Sequence, residues 1–263
     1  MDLSSGYLIL EEISDDRSFD TWFAKAAPRL QALGIDVNHA ISDRAKALIK
    51  LAVTGFDCQS GADTFHAQYD VSKGLGAKLG RCKAQAEKQH EASLQTVAKN
   101  PATDDATLLE QVIQNEKVCA ETKVALAAYH DNLPGIADEI HPFSILDNTR
   151  NDSERVISGL EKRAQAFEKI AQTQNVVDSK QSIRKFRNQF KDLAINVEFW
   201  WLWVGEILTD LAVDDVTQYW LIHTLLPVVY WHQQLHKTKK FQATGKVQTS
   251  LATCCSCLAG GYF

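Results

Sequence analysis

The stretch Ile35–Lys50, IDVNHAISDRAKALIK, decides how this chain is read. Its first half reads as a short buried strand from Val37 to Ile41, closed by Ser42-Asp43. Its second half, starting Arg44-Ala45-Lys46-Ala47-Leu48, opens an amphipathic helix read over Arg44–Ala52. Open α/β sheets place their chemistry at the carboxyl edges of such strands. Asp43 stands at that edge, and two readings of it stay open. Ser42 or Asp43 caps the helix by accepting its free N–H groups. Alternatively, Asp43 is a metal ligand at the mouth of a sheet. One carboxylate holds a divalent cation poorly, so that reading requires partners.

Upstream, Tyr7–Ile13, YLILEEI, reads as a strand after the turn signal Ser4-Ser5-Gly6. Asp15–Leu33 reads as a helix capped by Ser18, with Phe19, Trp22, Phe23, Ala26 and Leu30 on one face and Gly34 at its end. Downstream, Gly55–Cys58 is a short strand or a turn, and from Ala62 the pattern becomes helical. Helices are expected over Ala62–Lys99, Asp104–His130, Asp152–Thr173 with Ser153 as cap, Asp178–Leu211 as a pair, and Val216–Lys240 with a kink or split at Pro227. The fold class is therefore mainly α with a small α/β part. Residues 1–61 form the α/β part and residues 62–240 a helical region. Residues 241–263, FQATGKVQTSLATCCSCLAGGYF, have neither period nor caps and read as an aberrant or disordered tail, with a shifted reading frame the favoured origin.

The composition, 45% apolar and 23% charged over 263 residues, is that of an ordinary globular chain. No apolar run reaches the ~18 residues of a membrane span. The best candidate, Trp220–Trp231, carries His223 and Pro227. The start MDLSSGYLILEE lacks the basic region of a signal peptide. Of six cysteines, Cys58, Cys82 and Cys119 are scattered and Cys254, Cys255 and Cys257 crowd the end, which is no disulfide framework and points to a reducing, cytoplasmic setting. The formal charge of −5 argues against a dedicated nucleic-acid-binding domain. It is unevenly spread: after Asp215 there is no Asp or Glu.

Two helical faces are basic, one including Lys73, Lys78, Arg81, Lys83 and Lys88, the other Lys180, Arg184, Lys185, Arg187 and Lys191. Such faces contact phosphates or are simply solvated. Phe199, Trp200, Trp201 and Trp203, with Tyr219, Trp220, Tyr230 and Trp231, stack on bases or, by the spacing of Leu202, Ile207, Leu208 and Leu211 beside them, form helical core, the preferred reading. His66 and His141 read as core or capped residues rather than ligands, since a catalytic zinc site takes three protein ligands. Cys254-Cys255-Ser256-Cys257 lacks a second ligand pair at zinc spacing.

Several of these segments, in order, resemble bacterial insertion-sequence transposases of the DDE type. Asp2-Leu3-Ser4-Ser5-Gly6 through Glu12 is similar to the second-to-third strand hairpin of their RNase H-like core, and Asp16-Arg17-Ser18 through Trp22 to the start of its first helix. Ile41-Ser42-Asp43-Arg44-Ala45-Lys46-Ala47-Leu48 resembles the fourth strand, which carries the second catalytic carboxylate. Asp63-Thr64-Phe65-His66-Ala67 looks like the element after it. Ile140-His141-Pro142-Phe143, Trp200-Trp201 and Leu226–Gln234 with Lys237-Thr238-Lys239 resemble the helical insertion. The match covers roughly residues 1–240. It implies an incomplete RNase H-like core over 1–61 followed by a helical insertion domain. It also implies an activity: three acids hold two Mg2+ (or Mn2+) ions that direct phosphodiester cleavage and strand transfer. The implied partners are transposon-end and target DNA, with self-association possible and no membrane. Only Asp43 carries over as a catalytic and metal-binding residue. The first acid would precede Met1, and no acid follows Asp215, so the chain is expected to be truncated at both ends and catalytically incomplete. Lys78, Arg81, Lys83, Arg184, Lys185 and Arg187 are the candidate DNA contacts. The alternative is a non-catalytic helical module that binds DNA or a protein partner. The family sheet runs 3-2-1-4-5, and without its first strand Tyr7–Ile13 and Val37–Ile41 are expected to pair directly against the first helix.

Overall fold

A computed structural model describes residues 8–11, 14–99, 106–144, 146–176 and 179–238. The described chain is mainly helical with one small parallel sheet. It divides into two compact units that interleave along the sequence. One takes in the described residues of Met1–Asp63, Ile140–Glu154 and Lys191–Phe263; the other is Thr64–Glu139 with Arg155–Phe190. The break at 63/64 lies beside the boundary expected at 61/62. The helical residues beyond it do not form one unit, because 140–154 and the residues from Lys191 pack with the sheet. The tail, with its cysteine cluster, and Asp2–Tyr7 lie outside the described residues.

In the sheet-bearing unit, α1 spans Phe19–Ala32. Ser18 caps it in extended conformation, its Oγ accepting from Thr21 N–H at 3.2 Å. Gly34 ends it at φ 62°, the left-handed conformation that glycine adopts without strain. The apolar face of α1 is not deeply buried: Trp22 is 36% and Phe23 37% exposed. The Phe19 and Phe23 rings stack at 5.7 Å and Lys50 Nζ lies 4.2 Å from the Phe19 centroid.

The deciding stretch folds as β1, His39–Ser42, then α2, Lys46–Lys50, widening into a π-helical turn over Leu51–Gly55. β2, Gln59–Ala62, then pairs parallel to β1 with Ser42 opposite Ala62. The strand begins two residues later than its apolar pattern suggests because the ladder with β2 sets its limits; Asp63 N–H donates to the Ser42 carbonyl at 2.8 Å. Residues 8–11 are not strand, and the rest of Tyr7–Ile13 that would complete one, Tyr7, Glu12 and Ile13, lies outside the described residues. The expected direct pairing of Tyr7–Ile13 with Val37–Ile41 is replaced, among the described residues, by pairing of β1 with β2.

The second unit is helical throughout. α3, Thr64–Val71, continues through a π-helical segment, Ser72–Gly76, into α4, Ala77–Lys99. α5, Ala106–Asn132, packs along α4. Asn115 meets Gln89 and Lys123 meets Glu87, so the two run antiparallel. A short α6, Gly135–Glu139, follows α5. α7, Ser153–Thr173, and α8, Lys180–Arg187, close the unit. Its core joins Val71, Leu75, Leu79, Ile136, Leu160 and Ile183 with an aromatic chain in which Tyr129, Phe167, Phe186 and Phe190 touch in sequence.

Back in the first unit, α9 spans Phe190–Asp210, α10 Asp215–Trp220, and α11 Leu226–Thr238 after a π-helical segment Leu221–Leu225. The residue four before Pro227 is His223, inside that wide turn, so the missing N–H and the ring clash are absorbed without ending the helical path. α9 buries Leu193, Val197, Trp201, Val204 and Leu208 at helical spacing. Leu202 and Leu211, expected in that stripe, are 58% and 68% exposed, and Ile207 is also exposed. Leu202 lies roughly 140° round the helix from the middle of the buried row, and Leu211 follows the last residue of α9. No helix among the described residues is long and apolar enough to cross a membrane.

Candidate functional site

Asp43 follows the last residue of β1, and Asp63 follows the last residue of β2. Since Ser42 faces Ala62 in a parallel ladder, the two aspartates leave neighbouring strands at the same, carboxyl edge. Asp43 is exposed, and its Oδ1 accepts from Ala45 N–H at 2.9 Å. This is a tight local turn ahead of the helix and not the expected cap, since the N-cap of α2 is Ala45 and no side chain caps the helix. Arg44, in the left-handed region at φ 65°, turns the chain there. Its guanidinium holds the turn in place by donating to Ser60 O at 3.1 Å and Ser60 Oγ at 2.8 Å, and by pairing with Asp192 of α9 at 2.9 Å.

A three-acid, two-metal centre fits this edge incompletely. Asp43 and Asp63 supply two carboxylates, and Asp192 is committed to Arg44. Among the described residues no three His, Cys, Asp or Glu side chains come together as a metal-holding group.

Behind the edge, Asn196 of α9 holds β1 and β2 together. Its Nδ2 donates to Ala62 O at 2.9 Å, so its Oδ1 must accept from His39 Nε2–H at 2.8 Å. The other ring nitrogen of His39, Nδ1, is buried and has no hydrogen-bond partner among the described residues. Its ring stacks on Phe199 at 4.5 Å.

No family model matches the chain, and no curated protein or solved structure matches it.

The six basic candidates separate by environment. Lys78 and Lys185 line one cleft. Arg81 is exposed, its Nε donating to Ala77 O at 3.4 Å, and Lys83 pairs along its own helix with Glu87 at 3.8 Å. Arg184 is exposed on α8. Arg187 stands apart. Its guanidinium joins Glu161 at 2.7 Å and also Glu168, both on α7, and hydrogen bonding to Arg187 lowers the Glu161 pKa. Two carboxylates cancel its charge, so it fastens α8 to α7 and is a poor phosphate contact.

His141 is a structural residue. Its Nδ1 hydrogen-bonds the Tyr230 hydroxyl, and its carbonyl accepts from Asn151 Nδ2 at 2.8 Å. Burial pushes the Tyr230 hydroxyl pKa up. Phe143, Trp201 and Trp231 are buried in the same cluster, where Trp201 Nε1 donates to Asn151 O at 3.0 Å. These rings form helical core, as preferred from their spacing. Trp203, Tyr219 and Trp220 are exposed. His66 lies edge-on to Phe65 at 5.4 Å. His39, Arg44 and Asn196 carry no local signature. Only the pairing of β2 with β1 gives them a role.

The His39 environment sets a pH response. Burial disfavours the imidazolium and lowers the His39 pKa in the folded chain. Below about pH 6.5 the unfolded chain takes up a proton that the folded chain resists. Stability contributed at this site is therefore present at neutral pH and falls as pH drops toward the folded value. Thermal melts between pH 7.5 and 5.5 are expected to fall less steeply with acid for His39→Gln than for the wild type, whatever the absolute melting temperature of the variant.

Proposed function

We propose that this chain is a DNA-directed protein of the DDE transposase type. In this reading the β1–α2–β2 unit is the fourth-to-fifth-strand part of an RNase H-like sheet, and the helical unit serves as the DNA-gripping insertion. The observation that carries the reading is the parallel pairing of β1 with β2, which sets Asp43 at the carboxyl edge beside Asp63. Ligand and metal chemistry in α/β sheets collects at that edge. The resemblance gives Asp43 the role of second metal-binding acid, with Mg2+ (or Mn2+) as the ion.

The chain in this reading binds DNA and does not complete strand transfer, because two carboxylates fall short of the three-acid set. A second reading, a non-catalytic helical DNA-binding module, is favoured by Asp43 Oδ1 already accepting the Ala45 N–H. Incubation with duplex DNA and Mg2+ or Mn2+, followed by denaturing electrophoresis, tests both readings. DNA retention at low salt without nicking is the expected result. Metal-dependent nicking that vanishes in Asp43→Asn would refute the incompleteness and restore an active transposase. No DNA retention at low salt would overturn both readings.

A further inference from the structure

We infer that the exposed face of α3 is a stacking platform for the unpaired bases of single-stranded DNA, built by Phe65 and Tyr69. The inference deepens the DNA-directed reading and rests on it only for DNA as the source of the bases. A surface helix ordinarily turns its large apolar side chains toward the core. α3 does the reverse. Its buried positions are the small Ala67 and Val71, both at 0% exposure. Phe65 and Tyr69 lie roughly 140–180° round the helix from that pair, and they are 64% and 50% exposed. Apolar side chains exposed singly need no explanation. Two large rings turned outward together, while alanine faces the core, do.

The two rings form one surface. They are four positions apart, the spacing at which helical side chains meet. Their planes differ by 18°, with the centroids 6.3 Å apart. The helix beneath them is anchored on other sides. Gln68 Nε2 donates to Leu133 O at 3.2 Å, and Asp70 accepts from Gln189 Nε2 at 3.2 Å. The rings therefore stand on a fixed support, which lowers the ordering cost of binding. Near-parallel rings open to solvent suit flat aromatic ligands, and every base has a π face to offer them.

Charge favours a nucleic acid strand as the source of those bases. Lys73 Nζ lies 6.0 Å from the Tyr69 centroid, so a cation stands at the edge of the platform itself. Arg81 and Lys88 are exposed farther along the helical path that continues from α3 into α4. A strand whose bases stack on the rings thus has cations nearby for its phosphates. Trp203, Tyr219 and Trp220 are exposed too, but their setting is acidic. Glu206, Asp210, Asp214 and Asp215 lie on the same segments, and no Lys or Arg occurs from Asp192 to His236. That setting disfavours a phosphate chain.

The test uses the full chain with two probes, a short oligothymidylate carrying 5-iodouracil and a duplex DNA. Near-ultraviolet light couples iodouracil to an aromatic ring stacked on it, and mass spectrometry locates the adduct. Adducts at Phe65 or Tyr69 are expected. The double variant Phe65→Leu, Tyr69→Leu is expected to lose roughly tenfold or more in single-strand affinity, while its duplex affinity and its log–log salt slope change little. Exchanging the rings, Phe65→Tyr with Tyr69→Phe, should keep single-strand binding. Circular dichroism checks that the variants stay folded, and the adducts are read on the unaltered chain. Adducts confined to Trp203, Tyr219 or Trp220 overturn the platform, as does an unchanged single-strand affinity in the Leu variant. Either result leaves the DNA-directed reading standing if the duplex is retained. Single-strand binding through the rings with no retention of the duplex keeps the platform and overturns the transposase reading. Binding of neither probe overturns both.

Discussion

Phe186→Ala is expected to cost about 3–5 kcal/mol, the ordinary penalty for emptying a buried aromatic site. Phe186 is fully buried on α8, with the Phe190 ring 4.9 Å away and the Phe167 ring 6.4 Å away, both edge-on. Phe167 in turn reaches Tyr129 at 6.0 Å, so the ring at 186 links α7, α8 and α5. Small domains have about 5–15 kcal/mol in total, so this one change removes a large share of it. Urea titration should show a lowered midpoint with the helical unit affected first, and limited proteolysis should cut within α7 or α8. A midpoint unchanged from wild type would show that the aromatic chain is not the core of this unit. Phe186→Leu, which keeps most of the volume, should lose much less.

Gly61→Val should be nearly as damaging at the other unit. A Cβ at Gly61 would sit 1.8 Å from Asn196 Oδ1 and 3.0 Å from His39 Nε2, so Asn196 must leave its place. Overpacking alone costs about 1–3 kcal/mol, and each buried group stripped of its partner adds about 1–3 kcal/mol. The stripped groups are His39 Nε2–H and the Ala62 carbonyl. The measurable sign is a loss of melting temperature together with a changed His39 titration by NMR. Trimming Asn196 to Ala in a Gly61→Ala background should recover part of the steric loss and none of the hydrogen bonding. A Gly61→Val protein with wild-type stability would mean that α9 does not clamp the strand pair.

Much of the helical architecture could be read from periodicity and end signals. Ser18, Gly34 and the 3.6-residue spacing of α5, α7 and α9 are local marks, and the helices follow them. β2 could not be read this way. QSGA carries no β-branched or aromatic residue, and it is strand because β1 offers it a ladder. α6 was hidden for the same kind of reason, being five residues held between longer helices. At the candidate site, Asp43 was visible as a carboxylate at a strand end. Asp63 became its neighbour only through the register of two strands.

The basic faces show the same limit. Lysine and arginine on one helical face look alike in sequence, yet Arg187 is tied to Glu161 and Glu168 from another helix while Lys78 and Lys185 share a cleft. The sequence by itself determined the helical class, the βα unit around Ile35–Lys50 and the position of Asp43 at its turn, because capping, periodicity and turn chemistry act over a few residues. Tertiary structure alone decided which carboxylate stands beside Asp43, which cations are neutralised, and that residues 140–154 and those from Lys191 return to the sheet. Those outcomes depend on contacts between residues up to 157 positions apart, such as His39 with Asn196, and no local pattern encodes them.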